Sequence, residues 1–270
     1  MRFIALLTAL LALAPVAAAE TSAWTMLEKG ITAFNAKKYD RAGALFEAAL
    51  RRDNKCFDAS FYLGQVHEKK GKDKKAVAEY GRVPKEHSLY PLAQSRLGQL
   101  HLKRGEKKEA LACLKTSVEM RGNANLWMQV AGLQIELQKF EDAEKSLEAA
   151  SKLVKGDFRL IETYGRLYVE SKKYGKALDQ YNQLAKRFKD DYTVHNMRGL
   201  CLMELGREDE AARAFERVLA LYAYHKGAMR NLIRLWEDKP AREADVEELV
   251  TTLERLEKYP PKIKRVKRRS

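Results

Sequence analysis

One recurring alanine constrains this chain more than any other feature. Ala42, Ala76, Ala110, Ala143, Ala177 and Ala211 follow one another at intervals of 34, 34, 33, 34 and 34 residues. Four residues after each stands a large apolar side chain, in turn Phe46, Tyr80, Leu114, Leu147, Tyr181 and Phe215. A spacing of four puts both residues on one face of a helix. Twelve residues before each alanine come Gly30, Gly64, Gly98, Ala131, Gly165 and Gly199. Glycine inside a helix costs about 0.5–1 kcal/mol relative to alanine, so its recurrence implies a partner helix too close for a Cβ.

Each period therefore specifies two short amphipathic helices, the first carrying the small residue and the second carrying alanine and the large side chain. Polar turns such as "KKGKDK", "KRGEKK" and "ELGRED" separate them, with Gly71, Gly105 and Gly206 as helix stops. A single hairpin of this kind cannot bury its own apolar face. Neighbours have to stack to close a continuous core.

The segments "FYLGQVHEKKGKDKKAVAEY" (61–80), "SRLGQLHLKRGEKKEALACL" (95–114) and "TYGRLYVESKKYGKALDQY" (163–181) carry the resemblance to a known family. Together with the 34-residue period, they make the chain similar to tetratricopeptide repeat proteins of the exported bacterial type. The resemblance implies an all-α fold, a right-handed superhelical solenoid of antiparallel helix hairpins over residues 20–225. Six repeats are expected near 23–56, 57–90, 91–123, 124–157, 158–191 and 192–225. A degenerate capping helix pair follows over 226–259, with Met229, Leu232, Leu235 and Trp236 on the first helix and Leu249, Leu253 and Leu256 on the second. Two departures stand out: the proline the family carries near each repeat's end is absent from all six, and the fourth repeat has Ala131 in place of glycine.

The two ends differ from the body. "MRFIALLTALLALAPVAAAETS" has Arg2 as its only charge before Glu20, then an apolar run from Phe3 to Leu13 and the small residues Ala17, Ala18 and Ala19. This is the layout of a signal peptide over 1–19, and the run is shorter than the roughly 20 residues that span a bilayer. No cysteine stands at the cut for lipid attachment, so the expected location is periplasmic or secreted. Residues 260–270, "PPKIKRVKRRS", hold Lys262, Lys264, Arg265, Lys267, Arg268 and Arg269 and no acid. Of the formal net charge of +14, half lies in Arg2 and these six. Such an arm serves either solubility or peripheral contact with an anionic membrane or glycan. Export argues against nucleic acid as its partner.

Reaction chemistry is not foreseen. None of the spacings HExxH, CxxC, GxSxG, GxGxxG or GxxxxGK[ST] is present. His67 and His101 hold the same place in successive repeats, but stacked hairpins stand about 8–10 Å apart, too far to share a zinc ion with bonds near 2 Å. Cys56, Cys113 and Cys201 are an odd number in separate segments and read as small apolar residues. No catalytic residue, metal or cofactor is expected.

Function is then expected in the concave groove, which the resemblance places on the first helix of each repeat. Trp24, Leu27, Ile31 and Phe34 form an apolar stripe there, extended by Phe61 and Leu102. This stripe is either an exposed surface for a partner or self-association or, under a small change of helix register, the packing face of the first repeat. Further on the groove becomes charged, with Arg159 and Arg166 beside Glu162 and Glu170, then Arg230 and Arg234 beside Glu237 and Asp238. The expected function is a non-enzymatic scaffold holding a protein or peptide partner in an envelope-assembly, secretion or pilus-type complex. The alternative is an accessory protein that contacts peptidoglycan or surface polysaccharide and assists its synthesis or export.

Overall fold

The computed structural model describes residues 22–259, and among these it shows fourteen α-helices, one 3-10 turn and no strand. Backbone packing divides the chain into two compact units, up to Leu133 and from Gln134. The first unit holds α1 (Ala23–Asn35), α2 (Tyr39–Arg52), α3 (Phe57–Lys69), α4 (Asp73–Gly81), α5 (Tyr90–Lys103) and α6 (Lys107–Arg121). Helix α7 (Ala124–Glu136) runs through the division. The second unit continues with α8 (Phe140–Leu153), α9 (Phe158–Glu170), α10 (Tyr174–Arg187), α11 (Tyr192–Glu204), α12 (Glu208–Leu221), α13 (Lys226–Trp236) and α14 (Glu243–Lys258), with the 3-10 turn Pro240–Arg242 before the last helix.

Within the first unit α1 packs with α2, α3 with α4 and α5 with α6, within the second α9 packs with α10, α11 with α12 and α13 with α14, and in each unit these hairpins pack on one another in order. The reason is the alanine, aromatic and glycine frame. All six period alanines are fully buried, and Phe46, Tyr80, Leu114, Leu147 and Phe215 are as well. A Cβ built on Gly30 would lie 2.5 Å from the Phe46 ring, one on Gly64 2.8 Å from Tyr80, and one on Gly98 2.6 Å from Leu114. The second unit repeats the fit, with 2.9 Å from Gly165 to Tyr181 and 2.6 Å from Gly199 to Phe215. The large residue of the second helix thus lies flat on the glycine of the first, and no larger side chain fits there without displacing it.

Each turn within the six repeat hairpins holds one residue of left-handed backbone. Gly71, Gly105 and Gly206 supply it with φ of 68°, 76° and 70°, whereas Lys37, Gln138 and Lys172 adopt φ of 58° at the matching places. An L side chain in that region costs about 1–2 kcal/mol, a cost carried here by the packed helices on either side. At the chain's far end α13 buries Met229, Leu232, Leu235 and Trp236, while α14 buries Leu256 alone and leaves Leu249 and Leu253 half-buried. No helix among the described residues is long and apolar enough to cross a membrane.

Candidate functional site

The apolar stripe foreseen for the first unit is mostly interior. Leu27 is 2 % exposed and packs in one core cluster with Ala33, Ala42, Phe46 and Leu63. Phe61 is 4 % exposed and packs in the next, with Ala76, Tyr80 and Leu97. These two are corrected from groove surface to core. The physical reason is that the fifth position of a repeat turns inward whenever its side chain is apolar, since burying a Leu or Phe stabilises the hairpin by about 1.5–3 kcal/mol. Ile31 and Phe34 are half-buried against the first cluster, Phe34 with its ring 5.6 Å from Tyr39 and 6.1 Å from Tyr62. Leu102 is half-buried on α5, and of the stripe only Trp24, at 63 %, is largely exposed.

Charged residues at the corresponding places in the second unit stay in solvent, and there the surface opens. Arg159, Glu162, Arg166 and Glu170 on α9 are all exposed. Between α9, the end of α10 and the start of α11 lies a cleft of about 380 Å³. Tyr181 and Leu184 line it together with Val194 and Met197, and Glu162, Arg166, Asp191 and Thr193 bring polar groups to it. Phe158 and Phe188 also line it, their rings meeting edge to face at 5.3 Å. The Arg187 guanidinium lies 5.6 Å and 5.5 Å from the two rings and donates to the Gly156 carbonyl at 3.1 Å, which fixes the aromatic pair in place.

Capping fixes the ends of both helices that bound the cleft. Asp157 caps α9 by accepting from the Arg159 N–H at 2.9 Å, and Asp191 caps α11 by accepting from the Thr193 N–H at 2.9 Å. The Arg159 side chain folds back onto Asp157 at 2.6 Å, and this hydrogen bond holds the Asp157 carboxyl below the usual carboxylate range. Arg159 is thereby engaged at the helix end, outside the cleft lining. Burial, as the largest cause, raises the Tyr181 phenol far above its ordinary pKa, so at the base of the cleft it is a neutral group.

The aromatic pair is not among the groove residues expected from the sequence: Phe158 is the first residue of α9 and Phe188 follows the end of α10. A visible signal exists: an aromatic ring at the first place of a repeat recurs thirty residues later as Phe57 with His87, Phe158 with Phe188, and Tyr192 with Tyr222. All three pairs are in ring contact, at 5.8, 5.3 and 5.2 Å. Arg230 and Arg234 on α13 are exposed but do not join the cleft, and Arg230 pairs with Glu257 of α14 at 2.8 Å. The basic residues 262–269 and the segment 1–19 lie outside the described residues.

Among the described residues no group of three or more His, Cys, Asp or Glu is placed to hold a metal ion. His67 and His101 are half-buried, the latter against Glu106 at 2.6 Å. Burial pushes all three thiols up, Cys201 to about 11, so none is an activated nucleophile.

Two tetratricopeptide repeat models match the chain, one over residues 27–91 and 164–226 and another over 93–123, together more than half its length. The chain belongs to the tetratricopeptide repeat family, whose fold is the hairpin stack described above. Solved structures agree on the fold. A tetratricopeptide repeat protein from Parabacteroides merdae aligns with a TM-score of 0.55 at 17% identity, covering 86% of this chain and 98% of that one. The C-terminal part of a repeat protein from Cytophaga hutchinsonii aligns at 0.63 with 16% identity, over 80% and 90% of the two chains. YrrB, titled a TPR protein with an unusual peptide-binding site, aligns at 0.60 with 14% identity, over 68% and 96%. No curated protein matches in sequence.

Proposed function

We propose that this protein is a non-enzymatic scaffold of the bacterial envelope, exported by the segment 1–19, which holds a protein or peptide partner at the cleft of its second unit. The observation that carries this reading is the composition of that cleft: an apolar base and aromatic wall, with Glu162 and Asp191 opposite in sign to Arg166. The volume of about 380 Å³ accepts one bulky apolar side chain. Charged groups flanking that side chain in the partner would meet Arg166 and Glu162, giving orientation as well as affinity. Family membership supports the mode, since stacked hairpins present an extended surface for polypeptide. An envelope-assembly, secretion or pilus-type complex is the setting the exported layout favours.

A second reading has one observation in its favour. Phe158 and Tyr192, 39 % and 36 % exposed, open successive repeats beside the polar Asp191 and Thr193, an arrangement suited to stacking on a sugar ring. Peptidoglycan or surface polysaccharide would then be the ligand.

One comparison separates the readings. The chain from Glu20 onward and its Glu162→Arg, Arg166→Glu double variant are used to capture proteins from envelope extracts, and both are titrated with peptides from whatever is captured and with soluble peptidoglycan fragments. Capture lost in the variant, and restored to peptides of inverted charge, supports the peptide scaffold. Equal capture by both proteins removes the cleft from the proposal, and saturable binding of glycan fragments alone selects the second reading.

A further inference from the structure

Half of the formal net charge of +14 lies outside the two ends, and it is not spread evenly. Residues 22–133 carry 21 Lys and Arg against 12 Asp and Glu, whereas residues 134–259 carry 23 against 24. The excess of the first unit is gathered in three short segments, 37–38, 69–75 and 103–108, which hold eleven basic residues, ten of them lysine, all exposed. These segments are the turns of the hairpins α1/α2, α3/α4 and α5/α6. Because α2 packs on α3 and α4 on α5, the three turns follow one another along one edge of the unit, at the spacing of packed helices, about 8–10 Å.

Helix physics accounts for Lys69, Lys70, Lys103 and Arg104, which close α3 and α5 where the dipole favours cations, but not for the lysines that open the next helices. Lys38 and Lys72 occupy N-caps and make no capping bond, where Ser, Thr, Asp or Asn is preferred. Lys74, Lys75 and Lys108 fall in the first turns of α4 and α6, where the positive end of the helix dipole favours acids. The second unit also has uncapped basic N-caps at the matching turns, Lys139, Lys173 and Arg207. There α8 opens with Glu141 and Asp142 and α12 with Glu208, Asp209 and Glu210, whereas α2, α4 and α6 have one acid each in that turn, Asp40, Asp73 and Glu109. Some of the edge charge is neutralised, by the pairs Lys70 with Asp40 and Lys103 with Asp73 at 2.6 Å. Lys72, Lys74, Lys75 and Lys108 have no ion pair among the described residues. What sets this edge apart is the number of exposed lysines gathered on it, a concentration of one sign of charge that attracts an anionic surface.

We propose that this lysine edge docks the first unit on the anionic face of a phospholipid bilayer. Lysine supplies a compact, mobile point charge without the planar fork of arginine, which suits an array of headgroups more than one fixed phosphate. None of the three segments contains an aromatic residue to stack on a base, and single arginine forks are what groove readers use. The edge shares no residue with the cleft, so the two can be altered one at a time.

The test uses the chain from Glu20 onward, tail included, with phosphatidylglycerol-containing and pure phosphatidylcholine vesicles at low and physiological salt. Each lysine near an anionic surface contributes about fivefold. The variant Lys72→Gln, Lys74→Gln, Lys75→Gln, Lys108→Gln is expected to lose a few hundred-fold in partition onto the anionic vesicles, and the same four changed to Arg are expected to bind as the parent does. A chain ended before 260 is expected to keep salt-sensitive, anion-selective binding. Melting provides the folding control: removing lysines from helix N-termini is expected to hold or raise the midpoint. Undiminished vesicle binding by the Gln variant overturns the proposal, and so does a loss confined to duplex DNA or RNA.

Discussion

The two units are built from the same hairpin and treat the same repeat position in opposite ways. At the fifth place the first unit has Leu27, Phe61 and Met128 in the core and Ser95 half-buried, and the second has Glu162 and Arg230 exposed and Asn196 half-buried. The alanine, aromatic and glycine frame beneath is unchanged, with each large residue packed on its glycine in either unit. A repeat face is therefore not assigned once for the family. Apolar side chains at that position are drawn into the hairpin and consume the surface, while charged ones stay out and leave the space between neighbouring helices open to a ligand.

The largest effect is expected where this contrast is inverted. Leu27→Glu removes a buried side chain and places a carboxylate in its stead, so the first unit is expected to lose about 4 kcal/mol or more, read as a large fall in melting midpoint and helix content. Glu162→Leu in the second unit is expected to change stability by less than about 0.5 kcal/mol. Equal, small effects of the two substitutions would mean that Leu27 faces solvent and that the units do not differ in this way.

That contrast also marks how far the sequence could be read. The period of the alanines specified the hairpins, because an i, i+4 pair and a glycine twelve residues upstream admit one close-packed arrangement, and Gly30, Gly64, Gly98, Gly165 and Gly199 each lie against the expected large residue. The groove was less legible. A helical face is known from sequence only to within the width of a side chain, and Leu27 and Ile31, four residues apart, fall on either side of the line between buried and half-buried. The wall of the cleft is legible in another way, as a thirty-residue recurrence and not as a helix face, because Phe158 and Phe188 meet where α10 returns the chain to the start of α9. The lysine edge was hidden in a summed charge, which does not say that three separate turns share one edge.

An intermediate effect comes from filling the close approach. Gly165→Ala would set a Cβ 2.9 Å from the Tyr181 ring, and Gly64→Ala would set one 2.8 Å from Tyr80. Each is expected to cost about 1–3 kcal/mol through overpacking. Only Tyr181 lines the cleft, so only Gly165→Ala is expected also to weaken binding of the captured peptide. Thermal melting of both variants and one peptide titration check this. Undiminished peptide affinity in Gly165→Ala would detach the base of the cleft from the repeat frame.

The smallest effect concerns pH and again separates the units. Helix α1 of the first unit is capped by Ser22, whose hydroxyl oxygen accepts from the Thr25 N–H at 3.1 Å and does not titrate near neutrality. Helix α13 of the second is capped by His225, whose Nδ1 accepts from the Ala228 N–H at 2.9 Å and must be unprotonated to do so. Burial, as the largest cause, pushes the His225 pKa below its ordinary 6.5. The unfolded chain therefore binds this proton more readily, and the stabilisation is complete above pH 6.5 and lost as pH falls through the lowered folded value. Its size is that of a helix cap, about 1 kcal/mol. Hydrogen exchange of the α13 amides, corrected for intrinsic rates, is expected to accelerate on acidification while that of α1 does not. His225→Asn keeps a capping oxygen without the titration and is expected to flatten the response; an unchanged pH response in that variant would place its origin elsewhere in the second unit.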